Sequence, residues 1–503
     1  LLDVTVKRTR STGGNGGGFH IEVSTVTIDS STISNNYATS NGGGLYIYNA
    51  DVTISNTSII NDTTDNASGG GIYNSNATLR LHNVQVDSNE AEYYGGGLYM
   101  EADTLIATNT TFNHNSLTYS SSHGGGVYIT SGGFNTFDQC RIQHNTAWQY
   151  GGGVNIVNAS PVFTNVLITD NVLVNTSTDR YGGGIYDASG SSYTPEFTNV
   201  TIANNTADYG GGYFRSGGIS SQFINCIVFY NTAISQESFN SVGGSVTYSD
   251  IEGGWEGTGN IDSDPMFTDL YGGDYTLSDY SPAIGAGTAT GAPTVDIAGN
   301  IRPNPEDSSP DMGAYENARS ERLSGAKYYV ATTGSDSSSL GTSSTPFLTI
   351  QRAVDTAWDG DTVLVLPGTY TGNIDYNGKS IVVGSQILTS GDTSYVTSTI
   401  VNGYVTIDGD VDSTAVLTGL TIQNSSSGGV SCNGDPIISH LRVKDHVGSR
   451  GMSFSGADVS LSHVEVIGNS YSSNGAGIYV SNSTVNILDA IVKRNRSTNG
   501  NGC

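Results

Sequence analysis

Charge is scarce in this sequence. Asp, Glu, Lys and Arg make up 13% of the 503 residues, about half of the roughly 25% usual in globular domains. The charge that is present is mostly of one sign: 19 basic residues face 46 acidic ones, for a formal net charge of −27. A surface that holds nucleic-acid phosphates needs a basic face, so nucleic acid is excluded as a general partner. No apolar run reaches the roughly 18 residues of a membrane-spanning helix. Four cysteines are too few for a disulfide scaffold. Helical periodicity long enough for strand–helix–strand units is missing from most of the chain. The low charge also argues against disorder, which brings high charge and few β-branched or aromatic residues. Val, Ile and Thr are frequent and tyrosine occurs 29 times, a composition that favours strands. The chain starts at Leu1 with no signal peptide, and the expectation is of a fragment.

Glycine is abundant, with 67 residues, and it is not scattered. Triplets begin at Gly16, Gly42, Gly69, Gly95, Gly124, Gly151, Gly182 and Gly210, at spacings of 26, 27, 26, 29, 27, 31 and 28. A degenerate copy falls at Gly243-Gly244 and another at Gly475-Ala476-Gly477. A unit of about 27 residues with small length changes is the mark of a repeat architecture.

Aligning the units produces columns. One reads Ile33, Ile59, Val86, Phe112, Ile142, Ile168, Ile202, Val228. Three residues earlier stand Ser30, Asn56, Asn83, Asn109, Gln139, Asn165, Asn199 and Asn225; three later stand Asn36, Asp62, Asn89, Asn115, Asn145, Asn171, Asn205 and Asn231. Just after the glycines comes an apolar column from Phe19 to Tyr213, and then His20, Tyr46, Tyr73, Tyr99, Tyr128, Asn155, Tyr186, Phe214. Alternation of period two, as in Val52-Thr53-Ile54, marks strands. Short strands at a fixed period, without intervening helices, predict an all-β right-handed parallel β-helix, one coil per unit. Coils stack at roughly 4.8 Å, so like residues lie over like: aliphatic columns inside, asparagine ladders at the turns. Cys140 and Cys226 share one repeat position three coils apart, about 14 Å. That exceeds the roughly 7 Å limit for a disulfide, and both are expected as free core residues.

The repeat fades after Asp250. The expected organisation is 1–250, coils of a first β-helix lacking its N-terminal part; 251–317, a Pro- and Asp-rich closing segment; 318–326, a linker; and 327–503, the cap and first coils of a second, truncated β-helix. Phe347, Ile350, Val354 and Ala357 share a helical face, ended by Asp359-Gly360-Asp361, and this helix is expected to cap open strand edges. Ile422, Val443, Val466 and Val492 continue the aliphatic column, and Asn469 and Asn495 the ladder. Residues 2–17 (LDVTVKRTRSTGGNGG) match residues 488–503 (LDAIVKRNRSTNGNGC) at eleven of sixteen positions. The expectation is two incomplete copies cut out of phase from a tandem array.

The motif GGG-[LIV]-Y followed by [FIV]-x-x-N, as in Gly95–Tyr99 and Phe112–Asn115, resembles the repeats of chlamydial-type polymorphic outer membrane proteins. The coil region is similar to the pectin-lyase-like right-handed β-helix superfamily. SPAIGAG (281–287) and DMGAYE (311–316) are similar to the closing segment of bacterial surface β-helix proteins. The resemblance implies an extracellular or cell-surface protein, and the fold hosts adhesins, lyases, hydrolases and esterases alike.

Catalytic patterns are thin. The Asn-Thr-Asp, Asp-Asp, Gly-His-Gly and Arg-Ile-Lys segments of polygalacturonase-type hydrolases do not occur; the nearest, Arg141-Ile142-Gln143, lacks the cation. Asp408, Asp410 and Asp412 have the composition of a calcium-binding turn, and so do Asp262 and Asp264, although acidic surface turns explain both. His123, beside a glycine triplet, reads as a loop residue. Tyr46, Tyr73, Tyr99, Tyr128 and Tyr186 fall on the outward face: a stacking stripe for sugar rings, or tyrosines that stabilise the sheet. Lys7, Arg8 and Arg10, and their counterparts Lys493, Arg494 and Arg496, offset the acidic surroundings or grip an anionic glycan. The leading expectation is a secreted or surface-exposed stalk or adhesin that binds a polysaccharide or another cell-surface ligand. The alternatives are a lyase or hydrolase of acidic polysaccharide and a purely structural surface-layer element.

Overall fold

In the computed structural model the described residues are all except 103, 175–178, 218–220, 235–237, 241–243, 337–339, 410 and 500–503. The chain divides into two compact units, Leu1–Arg322 and Leu323–Cys503.

The first unit is a parallel β-helix. Its coil strands pair with their equivalents one coil away, giving one ten-stranded and three nine-stranded sheets, and Phe267–Asp269 pairs antiparallel with Asp274–Leu277 beyond them. The register is the one the columns demand: Ile33 lies beside Ile59, Val86 beside Phe112, Ile142 beside Ile168, Ile202 beside Val228. These side chains are fully buried, each contributing about 1.5–3 kcal/mol. On another inner face Phe137, Phe163, Phe197 and Phe223 stack face to face, with centroids 4.4–5.1 Å apart.

The two polar columns differ in kind. Asn56, Asn83, Asn109, Asn165, Asn199 and Asn225 sit at an outer corner with φ between +47° and +54°, the left-handed region that asparagine tolerates. Asn36, Asp62, Asn89, Asn115, Asn145, Asn171, Asn205 and Asn231 point inward and are buried. Each rung from Asn89 to Asn205 donates from Nδ2 to Oδ1 of the next at 2.9–3.0 Å. Each also donates to a backbone carbonyl of the preceding coil, as Asn115 does to Val86 at 2.9 Å. The amides of these rungs are thereby satisfied, which is what lets a polar column run through a core.

The glycine triplet has a separate reason at each position, seen at residues 95–97. Gly95 has φ +62°. A Cβ on Gly96 would lie 2.5 Å from the Gly125 carbonyl oxygen and 2.7 Å from that of Ser116; one on Gly97 would meet Gly126 O at 2.6 Å and the Asn115 amide at 2.9 Å. Two chain segments and a ladder rung close on the triplet, and no side chain fits.

Residues 251–317 do more than close an end: they run back along the flank of the coils. Gln139 and Asn165 donate to the carbonyls of Asp296 and Val295, Asn199 to those of Asp311 and Gly313. Arg302, fully buried, pairs with Glu316 at 2.8 Å and donates to Asn165 Oδ1 at 3.2 Å. Beneath this strap the outward positions turn apolar and buried, at Leu167, Ile227 and Phe229.

The second unit is also a parallel coil stack, with eleven-, five- and two-stranded sheets. Ile422, Val443, Val466 and Val492 are in register, and Asn469 donates to Asn495 at 2.9 Å. His446 takes the next ladder position, buried, its ring nitrogens 3.2 Å from the carbonyls of Ser425 and Ile422. The helix is shorter than the expected face from Phe347 to Ala357: it spans Ile350–Thr356, capped by Thr349, whose side chain accepts from Arg352 N. Ala357 is already extended, because Asp361 accepts the Trp358 N–H at 2.9 Å and draws the chain into a turn. Two one-turn helices, Ile387–Ser390 and Tyr395–Ser398, were not anticipated.

Candidate functional site

The sheet that follows the glycine triplets carries the aromatic column. Its strands include Phe19–Glu22, Leu45–Tyr48, Ile72–Ser75, Leu98–Glu101, Val127–Thr130, Val154–Val157, Ile185–Asp187 and Tyr213–Arg215. First and third residues point inward, so the second faces out. Register places His20, Tyr46, Tyr73, Tyr99 and Tyr128 in one line, then Asn155, Tyr186 and Phe214. The five tyrosines singled out from the sequence therefore share one face, and all are half-buried. The rings stack: Tyr46 on Tyr73 at 5.3 Å, Tyr73 on Tyr99 at 4.6 Å, Tyr99 on Tyr128 at 5.3 Å, tilted by 2–11°. A centroid spacing beyond ring thickness makes this an offset stack, the arrangement aromatic quadrupoles prefer.

A second aromatic column, missed in the sequence reading, borders the first. It occupies the position immediately before each triplet: Tyr94, His123, Tyr150, Tyr181 and Tyr209, joined in order by parallel bridges. Its signal was legible, since the same offset from Gly95, Gly124, Gly151, Gly182 and Gly210 carries a ring each time. His123 is thus not an isolated loop residue: its ring lies 5.3 Å from Tyr94 and 4.6 Å from Tyr150. The columns interlock through Tyr94–Tyr128 at 4.9 Å, Tyr150–Tyr186 at 4.5 Å and Tyr181–Phe214 at 4.8 Å. The result is one continuous aromatic face over eight coils, from His20 to Phe214.

Electrostatics on this face are acidic and apolar. Burial, then the Glu101 carboxylate, pushes the Tyr73 hydroxyl up to about 12. Burial does the same to Tyr128, also to about 12, and burial followed by Glu101 raises Tyr99. Burial pulls His123 down to about 4, so its imidazole is neutral near pH 7. Glu22 and Glu101 share the outer edge of the sheet. No Lys or Arg occupies either aromatic column. The nearby Arg180 is held by Asp208 through two bonds of 3.0 and 2.6 Å, and Arg215 is buried against Asp187.

The other candidates do not converge on a site. Asp412 accepts from Thr414 N and Oγ1 at 2.9 and 2.5 Å, which lowers its carboxyl below the usual range. Asp408 lies in the turn after Val405–Ile407, and Asp410 lies outside the described residues. Asp262 accepts from Gly253 N in an earlier turn, and Asp264 caps its own turn by accepting from Met266 N. Among the described residues no group of three or more His, Cys, Asp or Glu is placed to hold a metal ion. Cys140 and Cys226 are free and buried. Arg10 lies over the Tyr37 ring at 4.4 Å, and Lys493 pairs with Glu465 at 3.1 Å.

Fold and register define a parallel β-helix. Residues 3–207 match the family model described as "Right handed beta helix region". Comparison with curated proteins gives no match. Among solved structures the chain is similar to a PL6 family alginate lyase, solved as a point mutant, at 10% identity. That similarity covers 97% of this chain and 98% of that chain with a TM-score of 0.18, too low to support a functional argument.

Proposed function

We propose that this protein is a non-catalytic, secreted or surface-exposed binding element that holds a linear carbohydrate along the aromatic face of its first unit. The observation that carries the reading is the unbroken run of ring contacts over eight coils, from His20 to Phe214, with the second column alongside over the last five. Edges, part-exposed faces and hydroxyls of tyrosine offer CH–π contact and hydrogen bonds at a regular interval, the chemistry a repeating sugar chain presents in return.

The alternative enzymatic reading finds little support on this face. Glycoside hydrolysis needs two carboxyl groups about 5–9.5 Å apart. Glu22 and Glu101 share one column position but are three coils apart, about 14 Å. A lyase of acidic polysaccharide needs a cation beside the uronate, and neither column supplies one. Stacking also stabilises the sheet whether or not anything binds, so the decisive experiment is binding itself. Immobilised oligosaccharides should retain the first unit without product release. Tyr73→Ala and Tyr99→Ala should each weaken retention about three- to tenfold, the worth of one aromatic contact. Unchanged retention in both variants, or retention of no glycan, would remove the reading.

A further inference from the structure

The first aromatic column has one gap. At the sixth coil the outward residue is Asn155, in register with Tyr128 on one side and Tyr186 on the other. Tyr128 and Tyr186 are therefore two coils apart, about 10 Å, the thickness of one inserted ring between two others. The pre-triplet ring of the same coil, Tyr150, stands beside the gap. Tyr150, five residues before Asn155, stacks on Tyr186 at 4.5 Å and 16°. That pair is flatter than its equivalents at coils without a gap, Tyr94–Tyr128 at 35° and Tyr181–Phe214 at 57°.

Asn155, although at an outward position, is 1% exposed. Neither its Oδ1 nor its Nδ2 has a hydrogen-bond partner among the described residues. A buried amide left unpaired at both ends is costly. The contrast with the inner ladder is instructive: from Asn89 to Asn205 each asparagine both donates to the next rung and reaches a carbonyl. A tyrosine at 155 would have continued the column; an asparagine there has a donor and an acceptor with nothing to bind.

Resting on the carbohydrate-binding reading above, we infer that this gap is a self-plugged subsite for an uncharged pyranose ring. Tyr150 swings outward about its side-chain torsions. The sugar ring takes its place between the faces of Tyr128 and Tyr186, and Asn155 donates from Nδ2 to one ring hydroxyl while accepting at Oδ1 from its neighbour. The ring is uncharged because neither aromatic column offers a uronate a cation. The rest of the chain lies along the columns on either side.

The test uses the full chain and titration calorimetry with cellohexaose, xylohexaose, mannohexaose and a hexamer of N-acetylglucosamine, with hexagalacturonate as the charged comparison. Tyr150→Ala removes the competing ring and should tighten binding of a neutral hexamer about two- to tenfold. Asn155→Ala should weaken it about tenfold, the worth of two modest hydrogen bonds. Asn155→Tyr fills the slot permanently and should weaken binding at least as much while keeping the circular dichroism and melting profile of the parent; Tyr150→Phe, which keeps the plug, should bind as the parent does. Tyr150→Ala weakening binding as Tyr73→Ala does would show that Tyr150 is part of the platform and overturn the plug. If Tyr73→Ala weakens binding while Asn155→Ala and Tyr150→Ala leave it unchanged, the aromatic-face reading stands and the subsite falls. If no hexamer binds the parent or Tyr150→Ala, both fall. Tighter binding of hexagalacturonate than of every neutral hexamer would overturn the assignment of ligand class.

Discussion

Asp62 is the one carboxylate in a buried ladder of asparagines, and its replacement by asparagine tests the ladder directly. Asp62 Oδ1 accepts from both Asn36 N and Nδ2, at 2.7 and 2.9 Å, as an asparagine would. Its Oδ2 is buried without a partner. Asparagines on the other rungs donate from this position to a carbonyl of the preceding coil: Asn89 to Ile59, Asn145 to Phe112. At Asp62 the corresponding acceptor is the Ile33 carbonyl, and only a protonated carboxyl can donate to it. Burial accordingly pushes the Asp62 carboxyl up to about 7. An acid whose native value lies above its unfolded value of about 3.9 binds more protons when folded. Its contribution to stability is complete below about pH 4 and is lost as pH rises to about 7. The gap of about three units corresponds to about 4 kcal/mol at 1.36 kcal/mol per unit.

Asp62→Asn should therefore leave stability nearly unchanged at pH 4 and raise it by up to about 4 kcal/mol at pH 8. The measurement is the difference between variant and parent across that range. Other groups, including His123 with its opposite sign of shift, cancel in that difference. Because coil stacks unfold in parts, hydrogen exchange of the amides at Asn36, Asp62 and Thr63 reads the effect where it arises, alongside urea melts. An equal gain at both pH values, or a loss at pH 8, would refute the argument.

Two further outcomes follow from the packing. Gly96→Ala should destabilise the first unit by about 2–4 kcal/mol, since two backbone oxygens stand within 2.7 Å of the added methyl. Gly132→Ala, at φ +79° with open space around it, should cost only about 1–2 kcal/mol, and equal melting losses would contradict the close-approach explanation. Arg302→Ala leaves Glu316 buried and unpaired and should cost about 3–5 kcal/mol. Proteolysis and hydrogen exchange should then rise first within residues 288–317, and a loss spread evenly over all coils would show that the strap is not held there.

Much of this protein was legible because one rule repeats. A period near 27, with Ile33, Ile59 and Val86 in phase, determines strands, coil length, inward face and vertical registry together, since each coil templates the next at the strand spacing. The outward tyrosines followed from alternation alone. The pre-triplet rings from Tyr94 to Tyr209 were equally visible, but their value was not, because a residue before a glycine turn has no face until the turn is built. Tertiary structure decided the rest. Nothing local in residues 288–317 says that Arg302 reaches Asn165 across 137 residues of sequence, or that the strap runs back along the flank. Nor does the chain spell out that Tyr150 stacks on Tyr186 beside the gap at Asn155. Periodicity reports which residues share a column; ring tilt, unpaired amides and long-range ion pairs depend on what is packed against that column, and only the folded chain sets that.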